Sequence, residues 1–156
     1  MGSGPGHDAE YLATLGYDVT AFDVSESAIA AAHSRYPDSR VDYRVANLFD
    51  LPADWRQHFD LVVESMTVQA MPRAVRGEAT AAIRELVAPG GTLLVIGMHL
   101  PADWTLEQGP PWPLTSDELE AFATDGLHGE VTTRPSPTPG SPPHYRYTLT
   151  RDTGAQ

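Results

Sequence analysis

Residues 2–6 read Gly2-Ser3-Gly4-Pro5-Gly6, and they limit the fold more tightly than any other stretch. Three glycines at alternate positions let the backbone turn sharply and approach a ligand without side-chain clashes. Tyr11, Leu12 and Leu15 follow at helical spacing, so residues 8–15 are predicted to form a helix opened by the loop. Loop amides and a helix N-terminus together make a polar cradle. Gly16 ends the helix, and a β-rich run over residues 19–22 finishes on Asp23. A carboxylate there, just past a strand, can accept two hydrogen bonds from a ribose diol. Loop, helix, strand and terminal acid in that order predict an α/β fold.

Composition excludes several other classes. The chain has 156 residues, a single domain's length, with 41% hydrophobic and 20% charged residues. No apolar run approaches the ~18 residues of a membrane span, and no signal-peptide pattern opens the chain. Cysteine is absent, which removes disulfides and thiolate metal sites and is compatible with a cytoplasmic location. The formal net charge is −11. No clustered basic footprint of the kind nucleic acid requires is present. The six histidines are scattered, without the spacing of metal ligands. A nicotinamide-dinucleotide oxidoreductase fits poorly, because its GxGxxG fingerprint needs a third glycine where this chain has His7.

Further along, Ser25 is placed to cap a helix running to about Tyr36, with Ala28, Ile29 and Ala32 on its buried face. A strand over residues 41–46 ends at Asn47-Leu48-Phe49-Asp50. Residues 59–64 form a short apolar strand of the kind buried in a parallel sheet. Its end leads into Glu64-Ser65-Met66-Thr67-Val68-Gln69-Ala70-Met71-Pro72, where residues lie over a ligand crevice. Pro72 opens a helix with Val75, Ala79, Ala82, Ile83 and Leu86 as its apolar stripe. Pro89-Gly90-Gly91 stops it, and residues 92–98 are a β run. Residues 99–113 are irregular, with Trp104, Trp112 and several prolines. Thr115 and Glu118 then form a capping box opening a short helix through Phe122. Residues 127–133 are a strand, 134–143 a Pro/Ser/Gly loop, and 144–151 a last strand whose drier face carries Tyr145, Tyr147 and Leu149.

Taken together, the phrase from Gly2 to Ala13, the phrase Val19-Thr20-Ala21-Phe22-Asp23-Val24-Ser25-Glu26-Ser27-Ala28-Ile29 and the landmark Leu86-Val87-Ala88-Pro89-Gly90-Gly91-Thr92-Leu93-Leu94-Val95-Ile96 resemble class I S-adenosylmethionine-dependent methyltransferases. The resemblance covers nearly the whole chain. It implies a Rossmann-like sheet with helices on both faces and an antiparallel strand at its C-terminal end. S-adenosylmethionine is the implied cofactor, with Gly2, Ser3, Gly4, Gly6, Asp8, Asp23, Val24, Ser25, Asn47, Leu48 and Glu64 around it. The polar residue meeting adenine in that family is usually Asp; Asn47 keeps a carbonyl able to accept from an exocyclic amine. Enzymes that modify nucleic-acid bases carry Asn/Asp-Pro-Pro-aromatic after the fourth strand, and this chain does not. Its Glu-x-x-Thr-x-Gln-Ala-x-Pro pattern is similar to small-molecule methyltransferases of the bacterial thiopurine and tellurite-resistance type. Thr67, Gln69, His99 and Trp112 are the corresponding substrate-pocket residues. A Gly-Pro-Pro-aromatic phrase related to Gly109-Pro110-Pro111-Trp112 occurs in thiol and halide methyltransferases, where the loop borders the acceptor; Trp112 is a pocket wall or a lid on the core.

The implied reaction is methyl transfer to a small-molecule thiol, halide, amine or hydroxyl. No catalytic residue is assigned: Glu64, His99 and Asp8 are the groups positioned to act as a base, and each has an ordinary structural role as well. A non-catalytic nucleoside-binding or interaction module is the alternative. The expected partners are a small molecule, with neither nucleic acid nor membrane. The family's strand order, 3-2-1-4-5-7-6, places an apolar first strand directly before the glycine loop, and that strand and its preceding helix are missing here. The chain is therefore expected to be a single, N-terminally truncated methyltransferase domain over residues 1–156. An open gap would leave about ten backbone groups unpaired at roughly 1–3 kcal/mol each, more than a domain's net stability of about 5–15 kcal/mol. Homo-oligomerisation is the expected compensation, and weak cofactor binding the expected consequence.

Overall fold

The computed structural model describes residues 1–99, 105–136 and 142–154. The chain forms two compact units, Met1–Leu51 and Pro52–Gln156. Elements follow in the order α1 (His7–Thr14), β1 (Thr20–Asp23), α2 (Glu26–Arg35), β2 (Asp42–Val45), β3 (Phe59–Ser65), α3 (Arg73–Glu85), β4 (Val87–Met98), α4 (Ser116–Glu120), β5 (Leu127–Arg134) and β6 (His144–Arg151).

In the first unit β1 and β2 pair in parallel, Thr20 opposite Asp42 through Asp23 opposite Val45. Parallel strands need a crossover between them, and α2 supplies it. Ser25 caps α2 through Ala28 N, and the helix buries Ile29 and Ala32, with Ala28 half-buried. The core of this unit is Ala9, Ala13, Ala21, Ile29, Ala32, Val41 and Tyr43. The buried side of α1 is thus its alanines. Tyr11 and Leu15, the residues that gave the helix its apolar spacing, are exposed. The reason is clearance: Tyr43 stands against the start of α1, close enough that a Cβ on Gly6 would strike its ring. Only small side chains fit on that side.

The second unit holds, among the described residues, a four-stranded sheet in the order β3-β4-β6-β5. β3 and β4 are parallel; β4–β6 and β6–β5 are antiparallel. The two hydrogen-bonded sets, β1-β2 and β3-β4-β6-β5, follow the neighbour relations 3-2 and 4-5-7-6 of the expected order. Residues opposite one another in register share a face. Val62, Leu93 and Leu149 make one row, Glu64, Val95 and Tyr147 the next, and Gly97 and Tyr145 the last. All of these are buried. Each apolar member of those rows contributes about 1.5–3 kcal/mol by leaving water. Helix α3 packs on β4 and buries Ala79 and Ile83 as its spacing predicts. It also buries Arg76 and Thr80 in place of Val75 and Ala82, which are only half-buried. The capping box on α4 forms as expected, Thr115 Oγ1 accepting from Glu118 N and Glu118 accepting from Thr115 N.

Candidate functional site

Asp23, at the end of β1, ties the glycine loop to the strand. One carboxylate oxygen accepts from Gly4 N at 2.9 Å and the other from Ser25 N at 2.9 Å. Ser3 N donates to Phe22 O at 3.0 Å, so the loop runs back alongside its own strand. These bonds need the unusual backbone of the loop: φ is +56° at Gly2, +49° at Gly4 and +89° at Gly6, where an L side chain is strained. Gly6 is the N-cap of α1, with its carbonyl accepting from Glu10 N. The two later glycines differ in surroundings. A Cβ on Gly6 would collide with Tyr43, whereas nothing lies within 4 Å of one on Gly4. Behind the loop, the Tyr43 hydroxyl donates to Glu10 Oε1 at 2.8 Å, and burial with that carboxylate pushes the phenol pKa up.

Apart from Glu64, the other residues expected around the cofactor also lie in this unit. Ser3 is half-buried, and its hydroxyl is sealed from solvent without a hydrogen-bond partner among the described residues. Gly2 and Asp8 are exposed, Asp8 in the first turn of α1, where it complements the helix dipole. Val24, just past β1, is 71% exposed, unusual for an aliphatic side chain flanked by buried Phe22 and Ile29. Asn47 folds an Asx-type turn, its side-chain oxygen accepting from Phe49 N at 3.1 Å, and Leu48 is buried beneath it. An unpartnered hydroxyl, open space beside Gly4 and a carboxylate with a spare lone pair on each oxygen fit a nucleoside whose ribose faces Asp23.

The second unit gathers a different set at the carboxyl ends of β3 and β4. Glu64 is 2% exposed and accepts from Val68 N at 3.0 Å, which holds the 3₁₀ turn Val68–Ala70. Burial pushes its pKa up to about 7 against the pull of the Val68 and Thr67 amides. Thr67 is half-buried at the N-cap of that turn. Gln69 is 1% exposed and pairs with Met98 in both directions, its Nε2 donating to Met98 O at 3.0 Å and its Oε1 accepting from Met98 N at 2.9 Å. Its main-chain oxygen accepts from Trp112 N at 2.8 Å. Trp112 is half-buried, and its indole lies over Gly109, where no Cβ would fit. His99 is exposed, its amide donating to Pro143 O at 2.8 Å.

Two residues here escaped the sequence reading. Arg76, 3% exposed, donates to Met71 O, Pro113 O and Glu118, fastening residues 113–118 to the start of α3. Tyr145, 6% exposed, has a buried hydroxyl with no hydrogen-bond partner among the described residues. The alternation of β6 marked Tyr145 as inward-facing but says nothing of what its hydroxyl meets. Arg76 had no signal at all, being a charged residue one position beyond the apolar stripe. Among the described residues no three His, Asp or Glu side chains cluster as metal ligands, and no helix is long and apolar enough to cross a membrane.

Against known proteins, the methyltransferase domain family matches residues 1–91. A ubiquinone biosynthesis O-methyltransferase of Caulobacter sp. (strain K31) is 33% identical over 140 residues, covering 78% of this chain and 55% of the relative. The chain thus spans about half the length of that relative. Among solved structures, a TehB-like S-adenosylmethionine-dependent methyltransferase from Corynebacterium glutamicum superimposes with a TM-score of 0.71 at 21% identity, over 97% of this chain and 77% of the other. The N-methyltransferase NodS from Bradyrhizobium japonicum, in complex with S-adenosylhomocysteine, gives 0.73 at 17% identity, over 94% and 73%. With most of the chain matched in sequence and nearly all of it in fold, the protein belongs to the methyltransferase domain family and has the class I, Rossmann-like α/β architecture of its S-adenosylmethionine-dependent members.

Proposed function

We propose that the chain is an S-adenosylmethionine-dependent methyltransferase acting on a small-molecule nucleophile, its 156 residues working as one methyltransferase domain. The observation that supports this most is the double bond of Asp23 to Gly4 N and Ser25 N, which fixes a strand-end carboxylate beside a glycine loop. In that position the carboxylate receives the two ribose hydroxyls, while Gly2, Ser3, Gly4 and Gly6 shape the backbone around the ligand. Asp8 closes the first turn of α1. Val24 offers apolar surface to the adenine with the buried Leu48 as backing, and Ser25 and Asn47 offer polar atoms at its edge. Glu64 is kept as a proposed contact of the cofactor.

When bound, the cofactor supplies a methyl group on a sulfonium leaving group. What remains for the protein is alignment and the exclusion of water, which suits the absence of an assigned catalytic residue. Glu64 already holds the turn that carries Gln69, so its first role is positional. Thr67, Gln69, His99 and Trp112 make up the acceptor side. An oxygen nucleophile is the first to test, because the Caulobacter relative is an O-methyltransferase; thiols, halides and amines follow. Nucleic acid is not expected as a substrate, given the net charge of −11 and the lack of a basic cluster.

The test is release of S-adenosylhomocysteine with a panel of phenols, thiols, halides and amines, alongside titration of S-adenosylmethionine and NAD. Binding and turnover of S-adenosylmethionine support the proposal; binding without turnover makes the chain a nucleoside-binding module; preference for NAD rejects both. Asp23→Ala should weaken S-adenosylmethionine by about 2–4 kcal/mol, the cost of two lost bonds to a charged group. Wild-type affinity in that variant rules out the ribose contact.

A further inference from the structure

We propose that the Tyr145 hydroxyl is a specificity-determining contact of the acceptor site, donating a hydrogen bond to an oxygen that the methyl acceptor carries beside its nucleophile; this rests on the methyltransferase reading above. The first ground is position. Tyr145 sits opposite Gly97 near the carboxyl end of β4, one residue from the Met98–Gln69 pairing. In open α/β sheets, ligands bind outside the carboxyl ends of the parallel strands. The ring is laid across Gly97 so closely that a Cβ there would collide with the hydroxyl oxygen, and Gln69 Oε1 is 2.8 Å from the same point. The hydroxyl and the acceptor-side turn therefore share one small volume.

The second ground is the missing partner. A buried tyrosine hydroxyl ordinarily finds a hydrogen bond, and one left without it costs stability that phenylalanine would not. Tyr145 as a whole is 6% exposed, and its hydroxyl is sealed and unpaired among the described residues. Gln69 does not relieve it, since its amide is directed to Met98. Burial first, then the Glu64 carboxylate on β3, push the phenol pKa up; Arg76 on α3 pulls it down and Glu118 on α4 pushes it up again. The net upward shift keeps the group protonated and hence a donor. A ligand oxygen that reaches it meets a donor already stripped of water, and such a bond is stronger than its exposed counterpart.

The test compares probe pairs that differ by one hydroxyl: catechol with phenol, 2-aminophenol with aniline, and 2-mercaptoethanol with ethanethiol. Binding is measured by saturation-transfer NMR with S-adenosylhomocysteine present, so turnover is not required. Wild type should prefer the hydroxyl-bearing member of each pair it binds by about tenfold. Tyr145→Phe should erase that preference while melting at or above the wild-type temperature and keeping wild-type affinity for S-adenosylhomocysteine. Gly97→Ala, which pushes the ring aside, should lose the preference too. Failure of wild type to bind any probe, or an unchanged preference in Tyr145→Phe, overturns the proposal. A wild-type preference that Tyr145→Phe erases, with no methyl transfer to any probe, upholds the Tyr145 contact and rejects the proposed activity alone.

Discussion

Gly4 and Gly6 lie two residues apart with the same kind of backbone and opposite surroundings, so they separate fold from ligand binding. Alanine at Gly6 meets a φ of +89° and the Tyr43 ring together. Shifting that ring disturbs the Tyr43–Glu10 bond, and the expected cost is about 2–4 kcal/mol in urea unfolding. Alanine at Gly4 meets only the strained φ, for about 1–2 kcal/mol, because its Cβ points into open space. That space is where the cofactor is proposed to lie, so Gly4→Ala should lose S-adenosylmethionine affinity out of proportion to its stability. Equal losses of affinity in the two variants, each tracking its unfolding free energy, defeat the distinction. Both glycines and Asp23 were legible in the sequence because their spacing alone fixes a loop, a helix start and a strand end. What makes Gly6 indispensable was not legible. Its neighbour Tyr43 is 37 residues away and reaches it only once β2 pairs with β1.

At the scale of elements, helix α3 shows where periodicity stops being informative. Counting apolar residues placed Ala79 and Ile83 correctly and passed over Arg76, because a guanidinium enters a core only when carbonyls and a carboxylate are waiting for it. Those partners come from Met71 and from Pro113 and Glu118, on two separate segments. Arg76→Leu should therefore cost roughly 3–5 kcal/mol in thermal or urea unfolding, well above a surface substitution. A loss below about 1 kcal/mol means the pair is dispensable. Trp112 belongs to the same stretch but hangs on a main-chain bond to Gln69, which a side-chain truncation leaves in place. Trp112→Ala should then change acceptor preference and leave cofactor affinity near wild type. If only the melting temperature moves, Trp112 is a core lid. Glu118 was recognisable as a capping residue from its spacing to Thr115, yet its second bond, to Arg76, could not be read from local sequence.

For the molecule as a whole, the acid excess and the buried Glu64 act in the same direction. The folded chain holds the Glu64 proton more tightly than the unfolded chain, with a pKa of about 7 against an ordinary 4.5. Its favourable contribution is complete below about pH 4.5 and is lost as pH rises through 7. Self-repulsion from a net charge of −11 also eases toward the isoelectric point near 4.7. Unfolding free energy should therefore be larger at pH 5.5 than at pH 8.5, with on the order of 2–3 kcal/mol of the difference from Glu64. Glu64→Gln should remove that share and leave the remainder; an identical pH profile in the variant refutes the assignment. The strand order has a consequence of another kind, in time. β1 and β2 meet across a short span of chain, Thr20 opposite Asp42. β4 instead waits for β6, Thr92 opposite Thr150, and β6 lies between β4 and β5. Contacts distant in sequence form late because their loop-closure entropy is met first. Pulse-labelled amide exchange should show β1 and β2 protected before β4 and β6. On the ribosome, β4 lacks one neighbour and β5 its pairing partner until β6 emerges, so synthesis itself holds this sheet unfinished until that strand is made.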